Sequence, residues 1–181
     1  WNRIFTVDKK WKSTKEQETY YLNQLKKSNG SIEESVAANL MLLSIGSDVI
    51  LDIHTTGNKT APHIFTHKKS VQVFAALDPM VHILWEKDVA IGAFDESHVI
   101  PFLETLPFDK IPHAATWEVD CHGTIDSEKL NNRFEQLIGF LEMVWQNKKT
   151  NPTKCVPLEQ NNHLHAPIAG YYSWLVDPGS T

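Results

Sequence analysis

Apolar positions in the first part of the chain recur at helical spacing behind two polar start signals. Ser13-Thr14-Lys15-Glu16 has the spacing of a capping box, which predicts a helix from about residue 14 to 28. Ser31-Ile32-Glu33-Glu34 is a second capping box, and apolar residues follow it at helical spacing. Gly46 can end this second helix, because glycine readily adopts the left-handed backbone of a helix C-terminus. The pattern therefore predicts two consecutive helices.

Short apolar runs then predict buried strands. The run 48–54 is rich in β-branched residues and directly follows a helix, as buried parallel strands do. The runs 81–85 and 114–120 have similar character. Residues 90–112 contain three prolines, which indicate a loop with a short helix near 97–106.

The clearest helix follows the last of these strands. Asp126 is its predicted N-cap. Its apolar positions form one continuous stripe at helical spacing: Leu130, Phe134, Leu137, Ile138, Leu141, Val144 and Trp145. The alternation of helices and apolar strands predicts an α/β fold, with a mixed, largely parallel sheet and helices on both faces. We expect one α/β domain over residues 1–150, a polar linker over 147–162, and the start of a small β domain at 163–181.

Composition excludes some classes of function. The net charge of -5 disfavours a nucleic-acid partner, which needs a basic face. No apolar stretch approaches the roughly 20 residues that a membrane helix needs. Cys121 and Cys155 have no zinc-finger spacing, which favours reduced thiols in a cytoplasmic protein.

Acidic and imidazole side chains stand at the ends of two predicted strands. Asp52 and His54 alternate along the first strand and therefore share a face, so the carboxylate could orient a metal-binding imidazole. A core histidine that merely ends a strand explains the same residues. Glu118 and Asp120 share a face of the later strand, where either a metal site or an exposed edge strand accounts for them.

The other histidines give weaker signals. His63 and His67 are four residues apart, which suits a metal pair on a helix, although Pro62 disfavours a helix there. His163 and His165 alternate along a predicted strand and are interpreted as surface residues.

Four segments in this order resemble the succinylglutamate desuccinylase/aspartoacylase family, a branch of the zinc-carboxypeptidase-like fold. They are Asn2-Arg3-Ile4-Phe5, Leu51-Asp52-Ile53-His54-Thr55, Thr116-Trp117-Glu118-Val119 and Ala166-Pro167-Ile168-Ala169-Gly170. Each motif is short, and their order and spacing are the stronger signal. The resemblance spans almost the whole chain and makes residues 1–150 a partial zinc-hydrolase-like domain.

The resemblance implies a role for each matched residue. Asn2 and Arg3 fall on a pair that contributes to substrate binding. His54 falls on the third zinc ligand, and Glu118 on the residue that activates the metal-bound water. The family's first two ligands lie in an upstream motif with Glu three positions after His. None of the nine histidines here has that spacing, so we expect those ligands upstream of Trp1.

The implied function is zinc-dependent hydrolysis of an amide bond in an N-acyl amino acid or similar small molecule. The alternatives are a zinc carboxypeptidase that acts on peptides and a non-catalytic binding domain of the same fold. We expect a cytoplasmic protein with a small-molecule substrate, zinc as cofactor, and neither a nucleic-acid nor a membrane partner. The sequence does not indicate an oligomeric state.

Overall fold

The structure is a computed structural model that describes residues 4–5, 9–27, 31–56, 62–77, 81–85, 92–121, 126–152 and 155–157. None of the helices in these ranges combines the length and the hydrophobicity needed to cross a lipid bilayer. The α/β class predicted from the sequence is confirmed.

Two helices begin where the capping boxes predict them. Helix α1 spans Thr14–Lys27 and helix α2 spans Ile32–Ser44. The hydroxyl of Ser31 accepts a hydrogen bond from the backbone N–H of Glu34 at 3.3 Å, which satisfies one of the open donors of the first turn. Gly46 follows α2 with a φ of 88°, a backbone conformation that residues other than glycine rarely adopt.

The described strands form one five-stranded sheet. Its members are β1 (Val49–Thr56), β2 (His63–His67), β3 (Val81–Trp85), β4 (His113–Cys121) and β5 (Cys155–Pro157). They lie in the order β1-β4-β2-β3-β5. Strands β2 and β3 are parallel, and β3 and β5 are also parallel. The sheet therefore places β4 next to β1, although two strands separate them along the chain.

The remaining elements match the sequence pattern in part. Helix α3 is short (Val71–Phe74) and lies between 3₁₀ turns, while α4 spans Ser127–Trp145. A carboxylate oxygen of Asp126 accepts hydrogen bonds from the first-turn N–H groups of α4, as predicted for its N-cap. The region near 97–106 contains only 3₁₀ turns. The pattern missed β2 and β5, because β2 has a histidine at each end and β5 has only three residues, so neither forms a clear apolar run.

The chain divides into two compact units. The first contains residues 1–52 and 86–115, and the second contains 53–85 and 116–181. The predicted domain at 1–150 stays a prediction, and the predicted β domain at 163–181 lies outside the described residues.

The first unit is built around α1 and α2. Tyr21, Ala38 and Met41 form a buried cluster there, and aromatic and aliphatic side chains pack around them: Phe5, Tyr20, Leu25, Leu42, Ile45 and Phe94. Burial of such apolar surface is the main favourable term in folding.

The second unit buries one side of α4. Phe140 is 2% exposed and stacks on Phe74 of α3, with ring centroids 5.6 Å apart. Most of the predicted stripe lies on another side of the helix: Leu130, Phe134, Ile138, Leu141 and Trp145 are exposed by 37% to 92%. Only part of the apolar surface of α4 is therefore covered by other described residues.

A run of polar residues is buried in the first unit. Asp95, Glu96, Ser97 and His98 are each at most 7% exposed. Nε2 of His98 lies 2.9 Å from the hydroxyl of Ser44, which donates its own proton to the carbonyl of Leu40. Burial lowers the pKa of His98 to about 4, because a charged imidazole would lose its hydration.

Replacement of Phe140 should test how α4 is anchored. Phe140→Ala should lower the free energy of unfolding by ~3–5 kcal/mol, since it leaves a cavity against Phe74. Trp145→Ala is the matched control: its side chain is 92% exposed, and its effect should stay within ~0.5 kcal/mol. Urea unfolding of both variants measures the two values. Equal losses would contradict this account of the anchored side.

His98 should make stability depend on pH. Its pKa is about 4 in the folded protein against an ordinary 6.5, so the unfolded chain binds the proton first as pH falls. The contribution of neutral His98 to the free energy of unfolding is therefore complete above pH 6.5. As the pH falls from 6.5 to 4, the free energy of unfolding decreases by up to about 3 kcal/mol. His98→Gln removes this titration but keeps a side chain that can form a hydrogen bond with Ser44.

Urea unfolding of the wild type and the His98→Gln variant between pH 7.5 and 4.5 isolates this contribution from other titrating groups. The stability of the wild type relative to the variant should decline as pH falls. A constant difference would show that His98 is not buried in its neutral form.

Candidate active site

The carboxyl-terminal half of β1 carries the first predicted pair of site residues. Ile50 is buried, and Asp52 and His54 follow on the same face as half-buried side chains. Ile53, on the opposite face, is 50% exposed. Alternation along this strand thus directs Asp52 and His54 to one side, as the sequence predicted.

Strand β4 carries the predicted acid. Trp117 is only 1% exposed, while Glu118 and Asp120 on the other face are half-buried. Within Glu118, Oε2 is buried and accepts no hydrogen bond from any residue that the structure describes. A buried carboxylate oxygen without a hydrogen-bond donor is costly, so this oxygen is available to a partner that the described residues do not supply.

The pairing of β1 with β4 brings the two sites together. The N–H of His113 donates to the carbonyl of Asp48 at 2.9 Å, and these residues stand at the amino ends of the two neighbouring strands. Both strands therefore run in the same direction. A parallel ladder continued from this bond pairs Val49 with His113 and, five residues further, His54 with Glu118.

This register makes His54 and Glu118 neighbours on one face of the sheet. Adjacent strands are about 4.8 Å apart, so the two side chains can act on the same small group. Both residues belong to the second unit. Ligands of open α/β sheets bind beyond the carboxyl ends of strands, where this pair lies.

One contact at this edge had no signal in the sequence. Nε of Arg133, on α4, donates to the carbonyl of Val119 at 3.0 Å, between Glu118 and Asp120. Its Nη1 donates to Oε1 of Gln136 at 2.9 Å. In the sequence, Arg133 is an ordinary polar position of an amphipathic helix. Its contact with β4 arises only when the helix packs against the strand.

Solved structures with the same fold carry a family assignment. The chain superposes with a TM-score of 0.75 on a protein from Shewanella frigidimarina NCIMB 400 assigned as a succinylglutamate desuccinylase/aspartoacylase, at 19% identity and over 92% of this chain. It superposes with a TM-score of 0.72 on a protein from Shewanella amazonensis SB2B assigned to the same family, at 16% identity and over 97% of this chain. The chain has the desuccinylase/aspartoacylase fold.

At this level of identity, the likeness concerns the fold alone. The chain spans about half the length of the solved structures that it matches, 48% of one and 56% of the other. No family model matches the sequence, and no curated protein matches it.

Several predicted site residues have no described position. Asn2 and Arg3 lie outside the described residues, as do His163, His165 and the segment 166–170. His63 and His67 lie on strand β2, not on a helix. Four residues of a strand span about 13 Å, so the helical metal pair considered for them is excluded.

The residues present fit part of a metal centre. His54 offers an imidazole, and the buried Oε2 of Glu118 has no donor among the described residues. A catalytic zinc needs three protein ligands. In the part of the chain that the structure describes, no three His, Cys, Asp or Glu side chains are grouped closely enough to hold an ion. His54 can therefore serve as one ligand but cannot complete a centre with these residues alone.

Proposed function

We propose that the protein is a zinc-dependent hydrolase that cleaves the amide bond of an N-acyl amino acid or a similar small molecule in the cytoplasm. The observation that carries this proposal is the buried Oε2 of Glu118, which has no donor among the described residues and lies level with His54. A purely structural acid would be expected to have its buried oxygen satisfied. The shared desuccinylase/aspartoacylase fold supports the same chemistry.

His54 would contribute one imidazole ligand to the zinc. The zinc, when bound, would polarise the acyl carbonyl and acidify the attacking water. In this proposal Asp52, two residues earlier on β1, would orient the imidazole of His54.

Glu118 would move the proton. Its Oε2 accepts a proton as the water oxygen forms a bond to the acyl carbon. The same carboxyl group then gives that proton to the amide nitrogen as the carbon–nitrogen bond breaks. The products are a carboxylic acid and an amine, and Glu118 returns to its ionised form. In this proposal Asn2 and Arg3 bind the substrate, and Arg3 holds its carboxylate because the guanidinium fork matches that group.

Glu118→Gln removes the base and keeps the shape of the side chain. We expect turnover of N-acyl amino acids by the intact protein to fall by ~10²–10⁴-fold, with zinc content and thermal stability nearly unchanged. Asp120→Asn is the matched control, because Asp120 shares the strand and the face of Glu118, and its effect should be milder. Full activity of Glu118→Gln with normal zinc would remove the proposed role.

His54→Ala should remove zinc from the intact protein. The side chain supplies one of the three ligands that a catalytic zinc requires, so affinity should fall steeply. His113→Ala is the control, since His113 lies at the opposite, amino end of β4. Elemental analysis after dialysis gives the zinc content of each form. Equal zinc in the wild type and the His54→Ala variant would exclude His54 as a ligand, and an unmodified protein that binds no zinc would favour the binding-domain alternative.

A further inference from the structure

Helix α4 contacts the strand of the candidate site through Arg133. Arg133 is half-buried and donates from Nε to the carbonyl of Val119 at 3.0 Å. Val119 directly follows Glu118 in β4. A hydrogen bond to this carbonyl therefore acts on the peptide unit that joins Val119 to Asp120, one residue beyond the proposed base.

The contact gives the end of β4 a hydrogen bond from outside the sheet. Backbone carbonyls within a sheet accept hydrogen bonds from the N–H groups of the adjacent strand. The carbonyl of Val119 accepts one from a charged side chain, near the carboxyl end of β4. Such charge-assisted bonds are stronger than bonds between neutral groups. Arg133 thus ties the last residues of β4 to a helix.

The donor itself is held in place. Nη1 of Arg133 donates to Oε1 of Gln136, one turn further along α4, which fixes the plane of the guanidinium group. The helix is anchored in turn by Asp126 at its N-terminus and by Phe140 against Phe74. The chain of contacts runs from the core of the second unit to the backbone beside Glu118.

We propose that Arg133 is a positioning residue for Glu118, an inference that rests on the proposed hydrolase function. By holding the carbonyl of Val119, it fixes the backbone from which the Glu118 carboxylate is directed at the reacting water. Nε and Nη1 are both engaged within the protein, which favours this role over direct binding of a substrate carboxylate. A misplacement of about 1 Å at a catalytic group can cost on the order of 100-fold in rate.

Amide hydrogen exchange tests the contact without any activity. In metal-free Arg133→Met protein, the amides of residues 119–121 should exchange about tenfold faster, because the end of β4 opens locally. Amides of α1 and α2 should be unchanged. Arg133→Lys should fall between the wild type and Arg133→Met, since a lysine can donate one bond but lacks the fork. Lys129→Met is the matched control, because it removes an exposed cation from the same helix and should change nothing.

Steady-state kinetics test the consequence for catalysis. Arg133→Met should lower kcat by ~10- to 100-fold, with KM changed by less than about twofold. A raised KM with unchanged kcat and unchanged exchange would mean that Arg133 binds substrate, and would overturn the proposal. Faster exchange throughout the second unit with a lowered melting temperature would mean a general structural role, and would also overturn it.

The experiment separates this inference from the proposed function. If Glu118→Gln retains full activity, the hydrolase proposal fails, whatever the exchange data show. If Glu118→Gln is inactive but Arg133→Met matches the wild type in exchange and kcat, only the role of Arg133 fails.

Discussion

The parallel pairing of β1 with β4 is the constraint on which the candidate site depends. The hydrogen bond from His113 to Asp48 sets the register at the amino ends of the two strands. The period of a strand is two, so a shift of one residue would move Glu118 to the opposite face from His54. The same alternation buries Trp117 on the other side, so the packing of this indole opposes such a shift. Core packing and site geometry are therefore set by one register.

The proposed chemistry rests on a buried carboxylate oxygen of Glu118 that lacks a hydrogen-bond donor among the described residues. Most buried polar atoms in proteins have a hydrogen-bond partner, and an oxygen without one raises the free energy of the fold. Oε2 of Glu118 has none among the described residues. A carboxylate oxygen in this state can interact with a metal-bound water, as the proposed hydrolysis requires. Local strain of this kind is common where residues act on a substrate.

Helix α4 makes two different contacts that its sequence pattern does not distinguish. Phe140 anchors it against α3, and Arg133 extends from it to the end of β4. Rigid support behind a catalytic group reduces the motion that would misplace it. The exposed apolar residues of the same helix contribute little to this support, because their surface stays in contact with water. Only a minority of the apolar positions of α4 therefore stabilises the described fold.

Local signals in the sequence determined much of the architecture. Ser31 and Asp126 predicted helix starts because their oxygens satisfy open N–H groups a few residues away. The β-branched runs predicted β1, β3 and β4, and the motifs around His54 and Glu118 identified the candidate residues. Each of these inferences depends on neighbours in the chain.

The tertiary structure decided which segments meet. The insertion of β4 between β1 and β2 places Glu118 level with His54, and no local pattern encodes pairing between strands so distant in sequence. Strands β2 and β5 form no clear apolar run in the sequence, and each is stabilised by pairing with β3. The side of α4 that is buried depends on Phe74, and the contact of Arg133 with Val119 depends on where the helix crosses the strand. Local hydrogen bonds and periodicity depend on residues that are close in sequence. Strand register and long-range contacts form only when the elements pack together.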